Sequence, residues 1–242
     1  MKYAIISDIH SNLEALEEVL REIDEGGVER ILCLGDIVGY NANPNECIEL
    51  VRERDVACIM GNHDAGASSL ESLGYFNYAA RSALIWTNPQ LTERNRRFLA
   101  GLPEQKMIDS GFLVVHGSPL DRDTYLLSHY EAVSQILYLE EKGVRICFFG
   151  HSHRPVLHSY DTEVVGQGLE RHQLKTDTYY LINPGSVGQP RDGDPRASFL
   201  LFDSDSFQIE VIRLDYDVDK AARKVFSAGL DPVLGERLYL GI

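Results

Sequence analysis

Five times along the chain an apolar segment ends in a side chain able to bind a metal. Asp8 and His10 lie in ISDIH, Asp36 in LGDIVGY, Asn62 and His63 in MGNHD, His116 in VVHGSP, and His151 and His153 in FFGHSH. Four of these sites directly follow a run of β-branched or apolar residues, and the third follows the shorter ACIM. Each therefore reads as the C-terminal lip of a buried strand, where α/β sheets place ligands. The pooled donors are carboxylate, amide and imidazole with no thiolate. That set suits two divalent ions of the Mn, Fe or Zn kind, with Ni or Co also compatible, better than a structural thiolate zinc site.

The spacing between these sites sets the fold class. A strand over residues 1–7 precedes a helix capped by Asn12, with Leu13, Leu16, Val19, Leu20 and Ile23 on one face and Gly26-Gly27 at its end. The strand VERILCL, a helix from Pro44 to about Arg54 and the strand VACIM complete a βαβαβ start, which implies a largely parallel sheet. After Asp64 the pattern turns helical. Tyr75, Tyr78, Ala79, Leu84, Ile85 and Trp86 share a stripe that reads as core packing rather than a base-stacking platform, and Asn88-Pro89 is expected to end that helix. A further helix is expected over 92–100. The second half brings FLVVHG, a helix over 131–142, VRICFFG and then five short strands, VLHSY, TEVVG, TYYLINPG, ASFLLFD and QIEVIRL, which predict an antiparallel or mixed second sheet. A last helix is expected from Asp217 to about Ala228. Two mixed sheets flanked by helices make a four-layer α/β/β/α sandwich, read as a single domain over 1–242.

Composition narrows the function. With 242 residues, the chain can build one large core. A formal net charge of −14 repels polyanions and argues against non-specific nucleic-acid binding. No apolar run is long enough to span a membrane and no signal peptide is visible. The four cysteines form no CxxC pair and read as buried, reduced thiols of a cytoplasmic protein.

The blocks DxH, GD, GNH, a strand-ending His and GHxH, in that order, resemble the calcineurin-like metallophosphoesterase superfamily. A further match at NPGSVGQPR, the GY after the GD block and the compact size look like its prokaryotic phosphodiesterase-like branch, some members of which are diadenosine tetraphosphatase-like. The resemblance implies that Asp8, His10, Asp36 and His153 hold one metal. It implies that Asp36, Asn62, His116 and His151 hold a second, with Asp36 bridging and a metal-bridging hydroxide as nucleophile. His63 would bind no metal and would act on the leaving group as a catalytic residue. Asp64 either orients His63 or has no part. The NPGS segment would shape the site edge and orient His153 through backbone contacts.

Substrate contacts are read from position alone. Arg191 either meets a phosphate bidentately or is a solvated loop arginine, and Tyr40 either stacks on a base or packs on the following helix. Asp121 and Tyr125 lie close enough to His116 in sequence to line a substrate pocket. His129, His158 and His172 match no motif and read as surface or packing residues. Protein phosphatases of the superfamily carry an Arg after the GD block, and here Ile37-Val38-Gly39-Tyr40 has none. The leading expectation is a phosphodiesterase acting on small or nucleotide-like phosphoesters. The alternatives are a phosphomonoesterase or phosphoprotein phosphatase, a DNA nuclease and a non-catalytic scaffold.

Overall fold

The computed structural model describes residues 1–69, 73–108 and 111–242, apart from the side chain of Gln167. Strand β1 (Lys2–Ile6) is buried on both faces, and its alternation explains the layering. Tyr3 and Ile5 point to one side and Ala4 and Ile6 to the other, as the two-residue period of a strand requires. Ala4 and Ile6 pack with Leu16, Val19 and Leu20 of helix α1 (Leu13–Glu25) and with Ile48 and Val51 of α2 (Pro44–Glu53). Tyr3 and Ile5 meet Phe112 and Val114 of β5 (Phe112–Val115), Phe148 of β6 (Ile146–Phe148) and Ile182 of β10 (Tyr180–Pro184). The opposite parity on those strands, Leu113, Val115, Cys147 and Leu181, packs on Ala132, Ile136 and Leu139 of α6 (His129–Lys142). The order is thus helix, sheet, sheet, helix, which is the expected four-layer sandwich of two mixed sheets.

One partition differs from the expectation. The late strands do not all join the second sheet. β11 (Ala197–Asp203) pairs antiparallel with β1, and β12 (Gln208–Leu214) and β9 (His172–Gln173) extend the same sheet beyond it. On its other side β1 runs parallel to β2 (Arg30–Cys33), which runs parallel to β3 (Ala57–Cys58). The second sheet has the order β4-β5-β6-β10-β7-β8, with β4 at Gln105–Ile108, β7 at Pro155–His158 and β8 at Glu163–Val165. Both faces of β11 are apolar, and a strand buried on both faces carries no mark of which sheet it enters.

Three helical expectations are corrected. Helix α4 (Tyr78–Gln90) passes through Asn88-Pro89 instead of ending there. Asn88 is held in helical geometry from outside: its side chain donates to the Ala67 carbonyl at 2.7 Å and its carbonyl accepts from Arg96 at 2.6 Å. The aromatic stripe is core only in part: Leu84 is buried and Ala79 and Trp86 pack against a buried cluster, but its tyrosines and Ile85 are exposed. Tyr75 is 95% and Tyr78 80% exposed, while α4 buries Ala80, Ala83, Leu84 and Thr87. The chain does not finish with α7 (Val218–Ser227). A further helix, α8 (Pro232–Leu240), follows, capped by Asp231 and closed by Gly241 in the left-handed region. Among the described residues, no helix is long and apolar enough to cross a membrane.

Candidate metal centre

The loops that leave β1, β2 and β6 turn sharply at the residues that carry the donors. Asp8, His10, Asp36, His151 and His153 all have positive φ, between 48° and 65°. Non-glycine residues seldom adopt this region, and it persists where surrounding contacts over-determine it. Here the Asp8 amide donates to the Gly35 carbonyl at 3.1 Å and the His10 amide to the Asp36 carbonyl at 2.9 Å, locking the first two loops together. The His151 amide donates to Asp8 Oδ2 at 3.1 Å, tying the second sheet to the first. The glycines before Asn62 and His151 leave room for this. A Cβ on Gly61 would overlap Asp36 Oδ1, and one on Gly150 would overlap Ser7 Oγ.

Each histidine that faces the centre has one nitrogen anchored to a backbone carbonyl, with one exception. His10 Nδ1 donates to Val38 O at 3.1 Å, His116 Nδ1 to Leu34 O at 2.8 Å and His153 Nδ1 to Gln189 O at 2.5 Å. His151 is anchored through Nε2, 3.2 Å from Asp123 O. A ring nitrogen that donates leaves the other nitrogen as a bare lone pair. Three Nε2 and one Nδ1 are thereby presented inward. His63 is the exception: its Nδ1 is buried with no partner, so no carbonyl fixes its tautomer.

These lone pairs converge on the carboxylates. Asp8, His10 and His153 form one cluster and Asp36, His116 and His151 another, with a third group, His10, Asp36 and His63, between them, each with ligand atoms within 4.8 Å of one another. His153 Nε2 lies 3.2 Å from Asp8 Oδ1, His10 Nε2 3.6 Å from Asp36 Oδ2, and His116 Nε2 3.4 Å from the same oxygen and 3.0 Å from Asn62 Oδ1. Asp36 therefore lies against both clusters. Burial alone would raise the Asp8 and Asp36 carboxyls, but the histidines around them, His153 and His116 foremost, hold both below the usual carboxylate range. Burial lowers His10 and takes His151 down to about 3, so these rings stay neutral. Burial opposes charge on His116 as well, yet Asp36 raises it to about 9. Asp8 Oδ1 is buried without a hydrogen-bond partner. Carboxylate and amide oxygens converging with imidazole nitrogens, where an ion would take the place of the proton on His116, fit divalent cations of the borderline class.

A model of the calcineurin-like phosphoesterase superfamily domain matches residues 1–206. The chain belongs to that superfamily. It is 42% identical to protein MJ0912 of Methanocaldococcus jannaschii over 98% of this chain and 97% of that one. It superposes on a metallophosphoesterase from Sphaerobacter thermophilus with a TM-score of 0.88 and 38% identity, covering 100% of this chain and 99% of the other. Phosphodiesterase YfcE of Escherichia coli is 24% identical over 86% of this chain and 91% of its own. As a calcineurin-like phosphoesterase the protein is a metal-dependent phosphoester hydrolase, and the two clusters answer to the dinuclear divalent site of that family.

Around this phosphoesterase centre the remaining sequence candidates separate. Asp64 orients backbone rather than His63: its carboxylate accepts the Ile37 and Val38 amides at 2.9 and 3.2 Å and the Gly61 amide at 3.0 Å. Burial, then Asp36, pushes it up to about 7. The NPGS segment holds the loops from behind, with Asn183 donating to Gly150 O at 2.7 Å and Ser186 to Asp8 O at 2.8 Å. Tyr40 is 3% exposed and packs its ring against both His10 and His63, each with a centroid 4.5 Å away. Arg191 is not a solvated loop residue: its Nη2 donates to Tyr40 Oη at 3.3 Å and to Gln189 Oε1 at 3.1 Å. Tyr125 stacks on His151 with centroids 3.7 Å apart. The Asp121 carboxylate caps its own loop, accepting from the Asp123 amide and Thr124, and lines a neighbouring cleft instead of the one at His63.

Four contributors have no sequence signal. Asp123 acts through a backbone carbonyl. Phe76 meets His63 edge-on at 5.1 Å, and Arg237 sits 6.0 Å from the Tyr40 ring. Arg122 lines the cleft wall. That cleft, about 420 Å³, opens beside His63 between Tyr40, Phe76, Ala80 and Tyr125.

Proposed function

We propose that this chain is a dinuclear metal-dependent phosphodiesterase acting on small or nucleotide-like phosphoesters. In this reading Asp8, His10, Asp36 and His153 hold one ion and Asp36, Asn62, His116 and His151 the other, with Mn, Fe or Zn as the metals. When bound, the ions would supply Lewis acidity toward phosphoryl oxygens and lower the pKa of a coordinated water. The observation that carries the reading is the cleft beside His63, about 420 Å³ and part aromatic, part polar. That size suits a small organic leaving group. The phosphodiesterase name of the relative YfcE and the missing Arg after Asp36 both favour a diester.

The chain's own residues then have distinct tasks. Burial pushes His63 down to about 4, against the pull of Asp36, so its ring is neutral near pH 7. With Nδ1 buried against Gly39 and without a partner, the Nε2–H tautomer would hydrogen-bond the departing oxygen and stabilise its charge. Arg191 supplies a fixed positive charge beside His63 and His153. Tyr40 wedges the His63 ring, and Tyr125 covers His151 and walls the cleft. We place the protein in the cytoplasm, a reading supported by four buried free cysteines.

The test is turnover of bis- and mono-(p-nitrophenyl) phosphate by metal-reconstituted protein and its His63→Ala variant. Metal-dependent diester turnover, reduced about 100-fold or more in kcat by the substitution, is the expected result. Activity confined to the monoester would sink the diesterase reading.

A further inference from the structure

The family match ends at residue 206, but the site does not. Helices α7 and α8 fold back onto the loop after β2. Val225, Leu230 and Leu234 share a buried cluster with Tyr40, Ala80 and Ala83, and Trp86 Nε1 donates to the Ala228 carbonyl at 3.0 Å. Lys220 and Lys224 pair with the buried Glu14 at 3.1 and 2.6 Å, pinning α7 to α1. This docking brings Arg237 of α8 to one ring that Arg191 already occupies. The two guanidinium carbons lie 5.7 and 6.0 Å from the Tyr40 centroid.

Two cations sharing one ring repel each other, and the chain offsets this only in part, through the terminal carboxylate of Ile242 at Arg237 and the more distant Asp8 at Arg191. Among the described residues neither guanidinium pairs with an Asp or Glu side chain. Arg191 donates to Tyr40 Oη and Gln189 Oε1 and also bonds Tyr125, and Arg237 donates through Nε to a carboxylate oxygen of the terminal residue Ile242 at 2.7 Å. Arg191 Nε is buried and has no partner. The arrangement stands out in a chain of net charge −14, where carboxylates are plentiful. Partly buried charges are ordinarily paired, and a guanidinium is shaped to grip phosphate oxygens two at a time. Tyr40 also packs against His63, with ring centroids 4.5 Å apart, so the pair lies one ring away from the reacting centre.

We propose that Arg191 and Arg237 form an anion subsite that takes a second phosphoryl group of the substrate, beyond the one that is cleaved. The C-terminal helix pair is then a specificity element, and the preferred substrate carries two phosphoryl groups. This inference rests on the phosphoesterase reading of the adjacent centre.

The experiment is calorimetric titration of the metal-loaded protein with AMP and with ADP, which differ by one phosphoryl group. Four proteins are compared: wild type, Arg237→Met, Arg237→Lys and Arg223→Met. Arg223 is exposed on α7 and removes the same charge from the same helix pair. ADP is expected to bind wild type about 10-fold more tightly than AMP, the scale of one charge-assisted hydrogen bond. Arg237→Met should erase most of that ratio, Arg237→Lys should keep part of it as a point charge, and Arg223→Met should retain it. A wild-type ratio near one, or one unchanged in Arg237→Met, would overturn the subsite. Because the readout is binding, it stands apart from the turnover of bis-(p-nitrophenyl) phosphate, whose absence would sink the underlying reading instead.

Discussion

The Nε2 atoms of His10 and His153 face each other at 3.2 Å, although each ring already donates its Nδ1–H to a backbone carbonyl. Two lone pairs at that separation repel unless a cation lies beside them. Removing metal should therefore cost stability. A chelated sample is expected to melt about 5–10 °C lower than one carrying two equivalents of Mn or Zn, the scale for a ligand held well above its Kd in a chain of this size. Scanning calorimetry with and without metal tests it. A melting temperature indifferent to metal would mean that the facing nitrogens are accommodated some other way.

Gly61 lacks a side chain because Asp36 occupies that space. Gly61→Ala should displace the Asp36 carboxylate, which lies against both clusters, while leaving the sheets intact. Metal affinity is expected to fall about 10-fold or more, with far-ultraviolet circular dichroism unchanged. Retention of two tightly bound ions by the variant would contradict the close approach described here.

Phe148 is fully buried between the sheets, 5.4 Å from both Phe112 and Phe202. Phe148→Ala should destabilise the fold by about 3–5 kcal/mol through lost burial and the cavity left behind. Urea unfolding gives the number directly. A loss below about 1 kcal/mol would mean that the two sheets collapse onto the gap.

His158 lies away from the metal centre, its Nδ1 3.4 Å from that of His129 and 3.5 Å from Glu163. Burial, then His129, takes its pKa from 6.5 down to about 4. Between those values the unfolded chain binds the proton that the fold refuses. Stability therefore rises as pH climbs from about 4 to about 6.5, is fully present above that range and is lost below it. His158→Gln should flatten this part of the curve, seen as a smaller change in urea midpoint between pH 7 and pH 5 than in wild type. An equal change in both proteins would show that the ring titrates freely.

The donors were legible because each follows an apolar strand within a few residues, and five such coincidences in order leave little freedom, although Asn62 and His63 open the helix Asn62–Ser69 instead of sitting on the lip of β3. The layer order was legible for a related reason: strands such as FLVVHG and VRICFFG are buried on both faces. What escaped was whatever depends on a partner far away in sequence. Phe199 and Phe202 reveal that β11 is buried, yet only assembly decides that it lies against β1. Asp123 holds His151 with a carbonyl, an atom every residue has. Helix α8 did announce itself, with Asp231 as cap and Pro232 in the first turn, but its nine residues form a weak pattern beside the strongly amphipathic α7.

Asp8, His10, Asp36 and Asn62 hang from the first sheet, and His116, His151 and His153 from the second. An ion held by both sets would act as a rivet through the sandwich. Any sliding of one sheet over the other would open its coordination, so the rate at which metal leaves becomes a gauge of how tightly the aromatic filling around Phe112, Phe148 and Phe202 is packed. Mutations deep in that filling, far from any donor, would then be felt first as faster metal exchange.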